Sequence, residues 1–326
     1  MASGRIPNYL LVDNNIALNE SINTLKNTPT SALLAVDCEG VDLSRKGKLT
    51  IVTVATEERA FIFDVIKLKE EVFAEGLREI LEDKSRAKLM FDCRQDSDSL
   101  WYQYRVKLNG VLDVQLQEVL KRREQFGASA SSGANQRRSQ RLNEVENIYG
   151  LNRCIKLYLD DEEARKTKEG GTNQVMKDKA VWQKRPISGS LLRYCAVDTL
   201  VLFKLYKVIG SSSQELAQLR VASERYADMY RAKSERSFDR YEMNAYLPLD
   251  IISCDESAYQ GIHCTGCKRI FPREEFSKNQ LSKGNQKCRV CKKVKQRLDT
   301  NAHKEQRWLR RQREEESFGY YDSDSN

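Results

Sequence analysis

The chain has 326 residues, 40% hydrophobic and 31% charged, which is enough apolar material for one or two packed domains. No apolar run approaches the roughly 20 residues of a membrane span, and the start, MASGRIPNYLLVDNN, lacks the basic start and apolar stretch of a secretory signal. The net charge of +8 is a C-terminal property: residues 261–313 hold 16 Lys and Arg against four acids, the last 13 residues hold five acids and no base, and the first 260 are close to neutral. A module so charged suits a phosphate backbone, although a solvated basic face has the same composition.

In chain order, the first strong signal is LLAVDCEGVDL (33–43). Asp37 and Glu39 follow an apolar run that reads as a buried strand. Residues two apart on a strand share a face, so both carboxylates emerge together, with Cys38 on the other side. Two like charges buried without a partner are costly, so something must hold them. The runs 49–56 and 59–65 are β-rich and joined by the tight turn Glu57-Glu58-Arg59; with 33–39 they predict a three-stranded antiparallel meander. Residues 70–83 carry Val72, Phe73, Leu77, Ile80 and Leu81 at helical spacing. A short strand at 87–92 precedes a helix whose apolar face is Leu100, Trp101 and Tyr104. VLDVQLQEVLKR (111–122) then passes from strand to helix. Strands followed by alternating strand and helix predict the α/β class.

Residues 122–140 are small and polar without periodicity, which predicts a mobile insert in the domain. Helical patterns resume at 142–158, and 190–209 is a strong helix. An amphipathic stretch at 213–236 predicts another, as a helical extension after a domain ending near residue 210. AYLPLDIISCDES reads as a linker, closing that extension near residue 260. A cysteine-rich module at 261–295, a basic helix-like run from Lys292 to Arg313 and an acidic tail complete the chain. Nine cysteines would allow disulfides. Cys38, Cys93, Cys154 and Cys195 are instead scattered singly through core-like segments, which predicts an intracellular protein with reduced thiols, cytoplasmic or nuclear.

Divalent metal is a direct means of holding paired carboxylates. Mg²⁺ takes hard oxygen ligands and keeps waters that leave room for phosphate oxygens. Two such ions support phosphodiester hydrolysis, which needs about four acids converging on one spot. FDCRQDSDSL (91–100) supplies Asp92, Asp96 and Asp98 around a helix start, and YCAVD places Tyr194 and Asp198 four residues apart on one helix face. Taken singly, these signals also fit a surface strand end, a set of helix caps and a core tyrosine beside an exposed acid. Trp182, ahead of Arg185-Pro186, reads as a packing residue. The order acid-x-acid, acid, Tyr-x-x-x-acid is what distinguishes the functional reading.

VDCEG, FDCRQDSDSLWYQYRVKLNGVLDVQLQ and VWQKRPISGSLLRYCAVDTLVLFKLY resemble the three exonuclease motifs of the RNase D family, in particular its Egalitarian-like, small-RNA-pathway subgroup with a DEDD centre of the tyrosine type. The resemblance covers roughly residues 10–210. It implies an RNase H-like fold, a mixed sheet flanked by helices, with two Mg²⁺ or Mn²⁺ ions and 3′→5′ hydrolysis of single-stranded RNA or DNA, RNA favoured, to nucleoside 5′-monophosphates. Carried over, Asp37, Glu39, Asp96 and Asp198 are metal ligands, with the helix pattern favouring Asp96 over Asp92 and Asp98. Tyr194 orients the nucleophilic water, and Asp113, in DVQ, supports the ligands from behind. Phe91 stands where the subgroup often has His. Some members of the subgroup have lost acids and serve as RNA-binding scaffolds, so a non-catalytic adaptor on the same fold is the rival reading; this chain keeps all four acids.

Cys264-x-x-Cys267 and Cys288-x-x-Cys291, twenty residues apart, fit a closed four-thiolate Zn²⁺ site of structural role, with Gly266 easing the first knuckle. So short a segment has little core, so the metal would supply its folding energy. His263 and Cys254 are weaker alternative ligands. The phrase FSKNQLSKGNQKCRVC resembles the tandem-CxxC domain of an adaptor that joins RNA interference to chromatin modification, which leaves a protein-binding role open. Lys268, Arg269, Lys283, Lys287, Arg289, Lys292 and Lys293 suit nucleic acid equally, through salt-sensitive phosphate contacts.

Overall fold

The computed structural model describes residues 7–130, 148–232, 249–252 and 261–319, apart from 269, 272, 274 and 275. It divides into two compact units, one holding nearly the first three-quarters of the chain and the other the cysteine-rich region. In the first, β1 (Tyr9–Val12), β2 (Leu34–Val41), β3 (Lys48–Ala55), β4 (Ala60–Asp64), β5 (Lys88–Met90) and β6 (Val111–Asp113) form one sheet in the order β1-β4-β3-β2-β5-β6. The meander β2-β3-β4 is antiparallel as expected, while β5 and β6 add in parallel to β2, and β1 adds in parallel to β4. The result is a mixed sheet. β4 is buried throughout and β3 from Leu49 onward, as strands covered on both faces must be.

Helices close both faces. α1 (Asn15–Asn27) is capped by the Asn14 side chain and buries Leu18, Ile22 and Leu25, one face at helical period. α2 (Arg94–Tyr104) follows β5, and α3 (Val114–Ala130) follows β6 without a break. The expected insert is therefore corrected at its start: residues 122–130 continue α3, the helical period of VQLQEVLKRREQF outweighing the polar composition, while the rest of it, 131–140, lies outside the described residues. The 70–83 segment is helical but not one regular helix, because Gly76 at φ 131° puts a kink inside the Phe73–Leu77 turn, ahead of Arg78–Glu82. α4 (Glu162–Lys177), unforeseen in the sequence, packs on α5 (Gly189–Ile209), which lies against β2, β3 and β4. α6 (Ser213–Arg231), expected as an extension beyond residue 210, packs on α2 and β6 and belongs to the first unit.

In the second unit, β7 (Ile262–His263) and β8 (Ile270–Phe271) pair antiparallel. A short helix, Lys278–Ser282, is set by a Ser277/Gln280 capping box. The long α7 (Arg289–Gly319) begins inside the second CxxC knuckle. Among the described residues no helix is long and apolar enough to cross a membrane.

Candidate active site and cysteine cluster

β5 ends at Met90, so beyond Ala35 the β5 side of β2 has no strand ladder. Asp37 and Glu39 stand in that unladdered half. The orphaned Cys38 N–H there donates instead to Asp96 Oδ1 at 2.9 Å, which ties the start of α2 to the strand. The register between β2 and β3 slips between Glu39 and Gly40, and a Cβ at Gly40 would fall 2.1 Å from the Lys48 carbonyl oxygen. Only glycine lets the strand bend there.

The three acids of the second motif separate cleanly. Asp92 sits at φ 60° and pairs with Arg94 at 2.5 Å, whose guanidinium lies 4.6 Å from the Tyr226 ring centroid. Asp98 is fully buried and grips Arg45 through Nε and Nη2 at 3.0 and 2.8 Å and through its backbone N–H, fixing the loop after β2. Asp96 alone turns to β2. Asp113 accepts from the N–H groups of Asp92, Cys93 and Gln115 at 3.2, 2.9 and 3.0 Å, so the end of β6 holds the turn that aims Asp96.

From the opposite side, α5 brings Asp198. Carboxylate oxygens of Asp37, Glu39 and Asp198 lie within 4.8 Å of one another. Asp96 is outside this group of three, held by Cys38, although its charge is felt at Asp37. Burial, and then the charges of Asp96 and Asp198, push the Asp37 carboxyl well above the ordinary range; burial with Asp37 and Asp198 does the same to Glu39. Burial first, then Asp92, raises Asp96 to about 7. Asp37 Oδ2 and Asp198 Oδ1 are buried with no hydrogen-bond partner. Three converging carboxylates with two unsatisfied buried oxygens fit a hard divalent cation.

Tyr194 lies one turn before Asp198. Its ring packs 6.1 Å from that of Trp182, centroid to centroid, and against Gly171 of α4, where a Cβ would fall 2.1 Å from Tyr194 Cδ2. Burial, with the charges of Glu39, Asp198 and Asp37, holds the phenol protonated. Trp182, 1% exposed, belongs to the core with Ile51, Ile62 and Leu191, as its packing reading required. Arg185 carries this segment to the sheet through paired bonds of 2.5 and 2.7 Å to Asp64.

A residue the sequence reading missed also enters the centre. Lys168 Nζ donates to Asp198 Oδ2 at 2.6 Å. Ala164, Lys168, Gly171 and Val175 recur at helical spacing on the more buried face of α4, and that period was the available signal.

In the second unit, Sγ atoms of Cys264, Cys267, Cys288 and Cys291 also lie within 4.8 Å of one another. Cys264–Cys291 and Cys267–Cys288 are 3.7 and 3.9 Å apart. Bonds of about 2.3 Å to a tetrahedral zinc require sulfurs about 3.8 Å apart, whereas a disulfide needs about 2.05 Å. The N–H groups of Gly266 and Cys288 donate to Cys264 Sγ at 3.3 and 3.2 Å, bonds that favour a thiolate. Phe276 is buried beside the cysteines, as a small core. His263 is exposed and turns Nδ1 to the Lys268 carbonyl oxygen at 3.0 Å, and is not part of the four-cysteine cluster; Cys254 lies outside the described residues. Lys283, Lys287, Lys292 and Lys295 line an open groove of about 600 Å³. Lys268 stands at the end of the first knuckle at φ 63°, Arg289 and Lys293 lie on α7, and Arg269 is outside the described residues.

A mixed sheet with carboxylates at the unladdered half of its central strand, faced by Tyr-x-x-x-Asp on a crossing helix, is an RNase D-like architecture. Trypanosoma brucei RNase D shares it: in its complex with GMP the TM-score is 0.61 at 19% identity, covering 82% of this chain and 83% of that one. In its complex with RNA U12 the TM-score is 0.59 at 21% identity, covering 84% and 88%. A family model described as 3′-5′ exonuclease matches residues 9–212, and one described as Stc1 domain matches 218–293. The chain belongs to the 3′-5′ exonuclease family. The piRNA biogenesis protein EXD1 of Mus musculus is 30% identical over 209 residues, 64% of this chain and 34% of the relative. Its Homo sapiens counterpart is 30% identical over 208 residues, 64% and 37%. The match thus spans about a third of the length of these relatives.

Proposed function

We propose that the chain is a divalent-cation-dependent 3′→5′ exonuclease that shortens single-stranded RNA to nucleoside 5′-monophosphates. The observation that carries this is the convergence of Asp37, Glu39 and Asp198 with two buried, unsatisfied oxygens. Those three and Asp96 would hold two Mg²⁺ or Mn²⁺. When bound, such ions lower the pKa of water and offset charge on the phosphodiester. Tyr194, kept protonated, donates a hydrogen bond that orients the attacking water. Asp113 keeps the Asp96 turn in place, and Trp182 and Gly171 fix the phenol's position. The preference for RNA over DNA is supported by the relatives named for piRNA biogenesis and by the fold shared with an RNase D held on RNA.

The cysteine cluster would hold one structural Zn²⁺. The lysines of the adjoining groove would track the phosphates of a single strand, and the likeness to Stc1 domains supports a protein partner at the same module.

Release of nucleotides from 3′-labelled and 5′-labelled single-stranded RNA and DNA, with Mn²⁺ or EDTA, tests the reading. Metal-dependent shortening from the 3′ end is expected, falling on the order of 10³-fold or more in Asp37→Ala/Glu39→Ala. Binding of both polymers without shortening of either would overturn it in favour of the adaptor.

A further inference from the structure

The acidic centre contains a base. Lys168 and Asp198 pair at 2.6 Å with side chains only 14% and 6% exposed. The oxygen that accepts the ammonium belongs to the same carboxylate whose other oxygen is unsatisfied. The ammonium also lies in the field of Asp37 and Glu39, with Nζ 4.9 Å from the centroid of the Tyr194 ring. Its stripe on α4 otherwise carries Ala164, Gly171 and Val175, the face on which a lysine loses most by leaving water.

Three carboxylates this close repel one another, and a buried charge needs a partner. Lys168 is the one cation that the described residues place in contact with an acid of this group. A divalent ion on the free Oδ1 of Asp198, at about 2.1 Å, and an ammonium on its Oδ2 would stand within a few ångströms of each other. Like charges at that range, shielded from water, repel one another. The ammonium therefore opposes occupation by the ion.

We infer that Lys168 is a tethered cation that contends with divalent metal for Asp198: it keeps the carboxylates assembled without the ion and weakens the ion's affinity. This rests on the reading of the cluster as a divalent-cation site. It assigns Lys168 a positioning role.

The test uses the full, zinc-loaded chain and Mn²⁺ alone as the probe, with Asp37→Ala as the baseline for unrelated Mn²⁺ sites. Bound Mn²⁺ is read by electron paramagnetic resonance, and thermal melting is recorded with no divalent cation added to the zinc-loaded chain. Lys168→Met is expected to bind Mn²⁺ at least about tenfold more tightly than the wild type and yet to melt several degrees lower without it. Lys168→Arg, which keeps the charge, is expected to stay near the wild type in both. A merely structural lysine would lower affinity and stability together. Should Lys168→Met fail to fold, Lys168→Gln carries the same comparison. Wild-type binding with equal or weaker affinity in the neutral variant overturns the inference and leaves the metal reading intact. Absence of specific Mn²⁺ binding in both overturns the metal reading, and the competition with it.

Discussion

The two ligand clusters of this chain are built on opposite principles. Asp37 and Glu39 sit on a six-stranded sheet, Asp96 and Asp198 on helices packed with it, in a unit whose apolar core runs from Val12 to Tyr230. Each acid is placed by neighbours: Cys38 holds Asp96, Asp113 holds the turn, and Lys168 meets Asp198. The four cysteines, in contrast, pack with little beyond Ile262, Phe276, Leu281 and Val294, and are themselves most of the core they stand in. A large fold can position costly charges for an ion it meets later. A small one has to take the ion as part of its interior.

The strongest way to break this comparison is to remove the metals. Stripping zinc with a strong chelator, or Cys267→Ser, is expected to abolish the ordered second unit, since zinc binding of about 10 kcal/mol or more is folding energy in such modules. The first unit's melting transition should remain. Retention of dispersed amide resonances from residues 262–292 in the zinc-free chain would show that the module folds by itself.

Next comes the wall behind the phenol. Gly171→Ala drives a methyl into the Tyr194 ring, and a displacement of about 1 Å is expected to lower kcat about 10²-fold. KM should move little and circular dichroism should be unchanged. Equal activity would mean that the phenol's position does not matter.

Proton linkage gives a smaller signal. Asp113 is raised to about 6, by burial and then by the charge of Asp92. Below pH 4 the carboxyl is protonated in folded and unfolded chains alike. Between about 4 and 6 the folded chain keeps a proton that the unfolded chain has lost, its ordinary pKa being about 3.9. The contribution to stability is thus present in acid and is lost as pH rises through 6. Asp113→Asn should flatten that part of the melting-temperature profile measured between pH 4 and 7.

The smallest effect is expected at the lysine-lined groove. Lys287→Ala/Lys292→Ala should weaken single-strand binding similarly for all sequences, and should lower the salt slope by about 0.7 for each phosphate no longer neutralised. An unchanged slope would leave the groove to a protein partner.

Both clusters were legible in the sequence because their chemistry is written in spacing. Acid-x-acid on a strand and Tyr-x-x-x-acid on a helix need only the periods 2 and 3.6 to place side chains together. Paired CxxC knuckles likewise need only their own turns. The meander and the α/β class followed from the same periods. The α3 residues 122–130 escaped because polar helix turns and loops share a composition, and Gly76 broke a helix whose apolar spacing ran through it.

The sequence by itself determined the acids, the cysteines, the order of the motifs and the location of the charge. Tertiary structure decided which acid of Asp92, Asp96 and Asp98 reaches β2, because that depends on where β5 stops and which arginine takes the others. It also decided that Lys168, 30 residues from Asp198, shares that carboxylate's burial. Local periodicity fixes which way a side chain faces on its own element. Which charge it meets is fixed only when two elements pack and water leaves between them.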